Sequence, residues 1–589
     1  MDIKNKIRDL FPSMKKGIER FPVTVLFGIL AFIFAIIGNE IDRNNYDKYV
    51  EYILWAKLFL IGIPFSATSE LIREKYFSDK NRGLFRLGYF IFISLFLFGF
   101  KWWMKNVQAN ETINIISMIV IFYMSFLLLP IIDRKNDKEK YLQTVVGNQL
   151  LTIAFSWVMY MGITSIILAV DSLIIKLNVN LYLYSFFFSS LIFGVIFFVS
   201  RLKKIDENLE DYETPKMTQI LYSYIIIPLI FIYTSVLYIY SAKILVLWRI
   251  PKGMVSNLVL WYMVFSLFIM IMISPLTEKN KITEKFRKIF PLISLPLICL
   301  TFFSIFERIF QYGITENRYI IVALSIWLFF NMIMYIIKPD VRKVLVSLII
   351  IITVTVFSPW NMTSLSISSQ TKRMEKLLAD NGFLKDEKLI KSTEANAKAK
   401  KEIMSLTYYF FDSYNSARGN RKLKIRGKEY SSIDDFMKEI GADYTWNAYY
   451  SQSTYNSQKE IVRKGMLSEV KGYDYFIGPR DFFAPNAETT INTEKVDIKL
   501  TKNGELIIIS KEKNNELVNI PLKSKAEEIL SNLKNEIPDD LNNIEFPSEK
   551  LSFTGENEKI KYKIEFYSIY VKEKINVESY QISISFSEK

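Results

Sequence analysis

The sequence predicts an all-α polytopic membrane bundle of about eleven transmembrane helices, followed by an α+β soluble extracytoplasmic domain. Three observations predict this fold class. Long apolar runs occupy the chain up to about residue 358. Gaps rich in Lys and Arg alternate with poorer gaps between those runs. The remaining residues are dense in Lys, Glu, Asn and Ser, which is typical of a water-soluble domain.

The helices are predicted from the lengths of the apolar runs. A helix that crosses a bilayer needs about 20 mostly apolar residues. The last run, 343–358, is short, so a tilted or partly interfacial helix is the alternative to a regular membrane span there. The predicted spans are 21–38, 52–71, 84–100, 112–132, 144–171, 181–200, 218–241, 254–276, 290–306, 319–337 and 343–358.

The orientation is predicted from the basic gaps. The first apolar run ends without the small residues of a signal-peptide cleavage site, so we interpret it as an uncleaved helix. Because basic loops are retained in the cytoplasm, the alternation places the N-terminus inside. An odd number of spans then places the C-terminus outside. Frequent Lys, Asn and Ile indicate an AT-rich bacterial genome. The predicted location of this multi-pass chain is the bacterial cell (inner) membrane.

Four segments follow from this topology. They are a cytoplasmic basic N-terminus (1–20), the transmembrane helix bundle (21–358), a membrane-proximal helical segment (359–445) and an extracytoplasmic strand-rich α+β domain (446–589).

The tail carries its own local signals. Helices are predicted at about 368–380 and 386–416. Asn503-Gly504 between two alternating runs predicts a β-hairpin. An amphipathic helix is predicted at 523–537, and a second strand pair at 560–571 and 576–586.

Composition excludes several classes of mechanism. The net charge of +14 resides almost entirely in the loops between apolar runs, which argues against nucleic-acid binding. The chain has no histidine and one cysteine, Cys299, which we interpret as a small buried hydrophobe. A His/Cys metal site, a disulfide within the chain and a Ser-His-Asp triad are therefore excluded, and no metal or cofactor is predicted.

Charged residues are rare in the middle of the apolar runs. Lys57 and Arg86 lie near helix ends, where their side chains are expected to snorkel to the interface, and Glu70 lies at an inner helix end. Coupled transporters normally keep acidic residues near the midplane, so this pattern disfavours a transporter without removing that hypothesis.

Two outer loops supply the candidate site residues. The first loop contains Glu40 and Asp42, which are the candidate catalytic carboxylates. The loop before the tenth span supplies candidate binding residues, and the alternative interpretation is an interfacial turn whose arginines pair locally or with lipid phosphates. The candidate binding residues are Glu307, Arg308, Tyr312, Glu316 and Arg318.

Four segments together resemble the bacterial membrane-protein family called domain of unknown function 4153. They are Tyr238–Lys243 with Trp248–Ser256, Arg308–Tyr319 with Trp327, Pro359-Trp360 with Ser369-Gln370 and Arg373-Met374, and Gly472–Tyr475. Met374 stands where Leu is expected, a conservative departure. The resemblance covers most of the chain after about residue 140. It implies a multi-span membrane protein with an extracytoplasmic end, and it implies no catalytic residue.

Three functions remain open from the sequence. The first is a non-enzymatic envelope protein whose bundle anchors an outer domain that binds envelope proteins or a lipid-linked envelope polymer. The second is a membrane enzyme acting on a lipid-linked substrate at the outer face, with a layout like that of polyprenyl-phosphate-sugar glycosyltransferases. The third is a transporter or flippase. The missing catalytic groups favour the first, and the lipid bilayer is the partner common to all three.

Overall fold

The computed structural model describes most of the chain. The described residues are 10–41, 45–77, 81–106, 111–247, 254–277, 280–385, 388–391, 397–411, 423–430, 432–441, 459–464, 472–482, 489–492, 495–501, 504–512, 515–533, 536, 543–571 and 577–589. Among them, the residues up to Arg373 form one compact unit and those from Met374 onward form a second.

The first unit is helical. Its helices are α1 (Leu10–Arg20), α2 (Pro22–Glu40), α3 (Tyr46–Tyr76), α4 (Arg82–Asn106), α5 (Glu111–Ile131), α6 (Lys138–Leu173), α7 (Asn180–Ser200), α8 (Lys216–Ile220, Leu221–Ile226 and Ile227–Leu247), α9 (Met254–Met272), α10 (Lys281–Tyr312), α11 (Glu316–Ile337), α12 (Val341–Phe357) and the first part of α13 (Met362–Asp380). Phe188–Phe193 in α7 and Leu221–Ile226 in α8 are π-helical.

Local chemistry sets several helix ends. Asn280 caps α10 because its side chain accepts a hydrogen bond from the backbone N–H of Ile282. Asp340 caps α12 in the same way, through the backbone N–H of Arg342. Both caps satisfy N–H groups that the first helical turn leaves without a partner.

Long apolar helices make this chain a multi-pass membrane protein. Within the described ranges, nine helices are long and apolar enough to cross a membrane. A tenth crossing results if α12 and α13, bent by 46°, count as one span. Asn257–Met272 in α9 is apolar but shorter. All eleven predicted apolar segments fall on helices, while the number of crossings stays a prediction.

One sequence interpretation of this bundle is wrong. Cys299 is exposed on α10 and is not a buried hydrophobe. The error has a physical cause, because an apolar side chain on a membrane helix is equally satisfied by lipid and by protein.

The second unit contains two larger β-sheets within the described residues. In the first, β7 (Thr489–Asn492), β8 (Val496–Leu500), β9 (Glu505–Ser510) and β10 (Asn515–Pro521) pair in the order β10-β9-β8-β7, all antiparallel. The strands of the second sheet are β5 (Lys459–Lys464), β6 (Tyr475–Phe482), β11 (Asn543–Pro547), β12 (Ser552–Glu556), β13 (Ile560–Val571) and β14 (Val577–Glu588). They pair in the order β11-β5-β13-β14-β6, and β12 lies beside β13.

A shared core joins these sheets to a helix. The helix α16 (Leu522–Leu533) buries Leu522, Ala526 and Leu530 in the same apolar cluster as the inward faces of both sheets. The predicted hairpin is confirmed, since β8 and β9 pair in register and Gly504 has a φ of 77°. The predicted β13–β14 pair is confirmed as well.

The membrane-proximal part of this unit differs from the sequence prediction. The helix predicted at 386–416 begins only at Ala397, as α14 (Ala397–Phe411). Before it, β1 (Leu384–Lys385) and β2 (Lys388–Leu389) pair antiparallel, next to the fully buried Phe383. The remaining elements are β3 (Leu423–Ile425), β4 (Lys428–Tyr430) and α15 (Ile433–Ile440). The predicted domain limit at 445 lies outside the described residues, and the predicted subdivision stays a prediction.

Candidate functional site

The turn between α10 and α11 is built on a glycine. Gly313 follows the last residue of α10 with φ 70° and ψ 178°, a conformation that strains residues with a Cβ. A Cβ at this position would lie 2.9 Å from the Gln370 side-chain nitrogen and 3.0 Å from the Ser369 hydroxyl. The turn therefore requires glycine for its backbone angle and for the close approach of α13.

Two side chains of helix α13, Gln370 and Ser369, hold this turn with three hydrogen bonds. The Gln370 amide donates to the carbonyls of Tyr312 (3.0 Å) and Ile314 (2.7 Å). The Ser369 hydroxyl accepts from the Ile314 N–H at 2.9 Å. Gln370 is only 2% exposed, so these bonds lie in a buried environment where they hold their geometry.

Arginines surround the half-exposed ring of Tyr312. Arg318 donates to the carbonyls of Tyr312 (3.1 Å) and Gly313 (2.6 Å). The guanidinium carbons of Arg318 and Arg373 lie 5.6 Å and 5.5 Å from the Tyr312 ring centroid, which is cation–π distance. The positive charges of Arg308 and Arg373 also act on Arg318. We call Arg308, Arg318 and Arg373 with Tyr312 the arginine cluster.

Carboxylates flank the arginine cluster. Glu307 accepts a hydrogen bond from the Gln311 amide at 3.2 Å, and its second carboxylate oxygen is buried with no partner among the described residues. Glu316 begins α11, where the positive end of the helix dipole favours an acidic side chain. Arg308 and Glu316 both take part in further polar contacts.

Of the five candidate binding residues, the structure brings Arg308, Tyr312 and Arg318 into this cluster. Sequence reasoning did not assign Ser369, Gln370 and Arg373 to the site, although all three belong to the segments that carry the family resemblance. The family resemblance therefore included these three residues, but only the folded structure shows that α13 reaches a turn more than 50 residues earlier in the chain.

The first-loop candidates lie in a different environment. Glu40 accepts a hydrogen bond from the Tyr184 hydroxyl, and that hydroxyl accepts from the Asn39 amide at 3.1 Å. Asp42 lies outside the described residues. The structure thus connects Glu40 to α7.

A family model described as "Domain of unknown function (DUF4153)" matches residues 23–389. The chain belongs to the DUF4153 family. The match begins well before the region in which the sequence resemblance was found, and it ends before Gly472–Tyr475. In this DUF4153 protein, Glu40, Asp42 and every residue of the arginine cluster fall inside the matched range.

One curated relative extends the match without adding an activity. The chain is 24% identical over 414 residues to an uncharacterized protein of Pasteurella multocida, an alignment that covers 68% of this chain and 66% of the relative. The chain therefore spans just under two thirds of that relative's length. No solved structure matches the chain.

Sequence reasoning also missed a buried ionic network in this DUF4153 bundle. Glu70 is fully buried and accepts hydrogen bonds from Arg73 (3.0 Å), Arg86 (2.8 Å) and the Tyr89 hydroxyl (2.7 Å). Arg86 was expected to snorkel to the interface; its guanidinium donates to the carbonyls of Glu19 and Arg20 and also to Glu70. The i,i+3 spacing of Glu70 and Arg73 was visible in the sequence, whereas their burial was not.

A second charged cluster lies between α11 and α12. Asp340 pairs with Arg342 at 2.7 Å and with Lys138 at 3.3 Å. Burial alone raises the pKa of Asp340, but hydrogen bonds from the side chain and backbone of Arg342, together with the charge of Lys138, lower that pKa to about 2. The carboxylate is therefore ionised at every physiological pH and acts as a fixed anchor.

Proposed function

We propose that this DUF4153 protein is an envelope-associated membrane protein of eleven spans that binds an anionic envelope lipid or lipid-linked polymer at the outer end of its bundle. The N-terminus lies in the cytoplasm, and the C-terminal α+β unit lies outside, where it provides a further surface for envelope proteins. The membrane is the bacterial inner membrane.

Contacts between loops support the alternating topology. At one end, Arg20 pairs with Glu74 and donates to the Leu202 carbonyl, and Arg342 donates to the Ile132 carbonyl. All of these residues lie in segments expected on the cytoplasmic side. At the other end of the bundle, contacts join segments that are all expected outside. These contacts are Lys57 with Glu111, Lys101 with Glu51, and Tyr319 with the Trp360 carbonyl.

The arginine cluster is the observation that carries the binding proposal. The guanidinium groups of Arg318 and Arg373 meet an exposed aromatic ring on a turn that Gln370 and Ser369 hold in place, and the positive charge of Arg308 acts on Arg318. Guanidinium groups recognise phosphate and carboxylate oxygens through paired hydrogen bonds. A preorganised cluster binds with less loss of side-chain entropy than flexible surface residues would.

The test measures lipid selectivity. The full-length protein in detergent is analysed by native mass spectrometry with phosphatidylglycerol and phosphatidylcholine at equal concentration. We expect phosphatidylglycerol to be retained preferentially. We expect Arg373→Gln to weaken its binding about tenfold, equivalent to about 1.4 kcal/mol.

The matched control is Lys176→Gln. Its side chain is 89% exposed between α6 and α7, a loop expected on the same face, and it removes the same charge. Equal retention of the two lipids, or equal loss in both variants, would refute the binding proposal.

The topology has a separate test. A single cysteine introduced near residue 589 in a Cys299→Ser background is labelled from outside with a membrane-impermeant maleimide. Protection of that cysteine in intact spheroplasts, with labelling after lysis, would place the C-terminus in the cytosol and reject the proposed orientation.

The enzyme hypothesis stays a proposal with its own experiment. If Glu40 and Asp42 serve catalysis on a lipid-linked substrate, Glu40→Gln and Asp42→Asn each change the envelope glycans. Unchanged glycans and growth in both variants would remove it.

A further inference from the structure

The bundle contains a large cavity bounded by α2, α3, α5, α6 and α7. Its volume is about 740 Å³, within the range of roughly 300–1,000 Å³ that small-molecule sites occupy. Ile153, Trp157 and Phe186 line it and are 46%, 50% and 41% exposed. Exposed residues of α6 and α7 therefore lie at the mouth of the cavity, on the apolar surface that a bilayer covers.

The wall of the cavity is mostly apolar but contains a buried polar group that lacks a partner. Ser189 lines the cavity and is 1% exposed, and its hydroxyl has no hydrogen-bond partner among the described residues. Gln149 and Ser156 add an amide and a hydroxyl to the same wall. The Ser189 hydroxyl is enclosed within the wall, so Gln149 and Ser156 are the groups that favour an occupant with polar atoms as well as an apolar chain.

Irregular backbone forms the side of the cavity that carries Ser189. Phe188–Phe193 is a π-helical turn within α7, and such turns often occur at functional sites. Helix α2 packs directly on it, because a Cβ at Gly28 would lie 2.5 Å from the Leu191 carbonyl oxygen. The turn is thus packed against α2, and its residues Ser189 and Ser190 form part of the cavity wall.

A cation lies just beyond one end of the cavity. Phe198 and Val199 line the cavity, and Arg201 follows them at the end of α7. Its guanidinium donates to the Asn148 amide oxygen at 3.0 Å and lies 5.6 Å from the Phe197 ring centroid. Within the described chain Arg201 has no carboxylate partner, so its charge is available to an anion.

The dimensions of the cavity fit one lipid chain. From Gln149 to Tyr160 the α6 wall rises about 16 Å at roughly 1.5 Å per residue. One leaflet of a bilayer has a hydrocarbon depth of about 15 Å. Water is the competing occupant, but about 25 waters of roughly 30 Å³ each would find few polar partners on this wall.

We propose that this cavity binds one acyl chain of a glycerophospholipid, with the lipid phosphate on Arg201. The chain enters beside α6 and extends toward Trp157 and Tyr160. The ester group lies near Gln149, where the amide donates to its carbonyl oxygen. This site is separate from the arginine cluster, and it places a lipid inside the bundle.

The experiment is photolabelling of the full-length protein in liposomes. The liposomes contain phosphatidylcholine, a small fraction of which carries a diazirine in the middle of one acyl chain. After irradiation, labelled peptides are mapped by mass spectrometry. In the unchanged protein we expect label to concentrate on the peptides that carry Trp157, Tyr160 and Phe186. Label spread evenly over lipid-facing residues would overturn the proposal without any variant.

Two cavity-filling variants and a matched control sharpen the test. Ser156→Phe and Ser189→Phe fill the cavity from opposite walls, whereas Ser165→Phe adds the same group on the exposed face of α6. We expect the filling variants to lower the labelling about tenfold, equivalent to about 1.4 kcal/mol, and the control to leave it unchanged. Equal labelling in filling and control variants would refute chain binding.

The phosphate contact has its own readout. Arg201→Gln is expected to lower the labelling several-fold while the size-exclusion profile is unchanged, and labelling that stays constant would refute the phosphate assignment. Arg373→Gln is expected to leave the labelling unchanged, so a failure at the cavity is distinguishable from a failure at the arginine cluster.

Discussion

Replacing Glu70 by glutamine should destabilise the bundle far more than the same change at an exposed site. Glu70 is fully buried, and its carboxylate accepts from both Arg73 and Arg86. Glutamine keeps the size of the side chain but removes the charge, so Arg73 and Arg86 lose the carboxylate that they share. Removing one partner of a buried ion pair costs about 3–5 kcal/mol.

The structure supplies a matched control at the other end of the bundle. Glu111 pairs with Lys57 at 2.9 Å, and the two side chains are 35% and 42% exposed. Exposed ion pairs contribute about 0–1 kcal/mol. We therefore expect Glu111→Gln to lower the free energy of unfolding by at most about 1 kcal/mol, so that the two variants differ by about 2–5 kcal/mol.

The assay is unfolding of the purified full-length protein in mixed micelles of increasing sodium dodecyl sulfate, followed by tryptophan fluorescence. A compensating variant adds a check on the cause. If the cost arises from unpaired positive charge, Glu70→Gln combined with Arg86→Met should recover part of the lost stability. A loss no larger for Glu70→Gln than for Glu111→Gln, or no recovery in the double variant, would refute this electrostatic account.

Three further predictions use the same protein. Gly313→Ala should destabilise the bundle by about 1–3 kcal/mol, because it combines an unfavourable φ with a clash against Gln370. Thermal unfolding in detergent measures this effect, and an unchanged unfolding midpoint would contradict the prediction. Asp340→Asn should cost about 1.5–3 kcal/mol at neutral pH. Because the folded-state pKa of Asp340, about 2, lies below its ordinary value, its stabilisation is complete above about pH 4 and is lost as the pH falls through 2. The difference between wild type and Asp340→Asn should therefore shrink over that interval, and a constant difference would contradict the assignment. Phe566→Ala should lower the free energy of unfolding by about 3–5 kcal/mol, because this ring is fully buried between the sheets. Phe476→Ala should lower it far less, because Phe476 is 45% exposed. Urea unfolding of the full chain compares the two variants, and equal losses of stability would contradict the described core.

The apolar helices could be predicted from the sequence because lipid acts on each segment independently. A run such as 112–132 must satisfy its own backbone hydrogen bonds wherever its neighbours are, so its helix is decided locally. The β8–β9 hairpin was equally accessible, since Asn503-Gly504 between two alternating runs determines the turn. The region 386–416 failed because its helical composition competes with the pairing of β1 and β2, which depends on packing around Phe383.

The candidate sites were predictable only in part, because their geometry depends on contacts between distant segments. The charged loop 307–318 was visible as a local cluster, but nothing in the sequence near Gln370 shows that its side chain bonds to this loop. The burial of Glu70 likewise depends on Arg86 and Tyr89, which belong to the next helix. The cavity has no sequence signature either, because its wall combines residues from five helices.

The π-helical turn in α7 makes the direction of Ser189 depend on one extra residue. In a regular helix each residue rotates the following side chains by about 100°. Deleting a single residue within Phe188–Phe193 would close the turn into ordinary helix and rotate everything on one side of it by that angle. The serines that this turn contributes to the cavity wall would then lie against lipid or within the packed helices, so the composition of the wall can change through one codon.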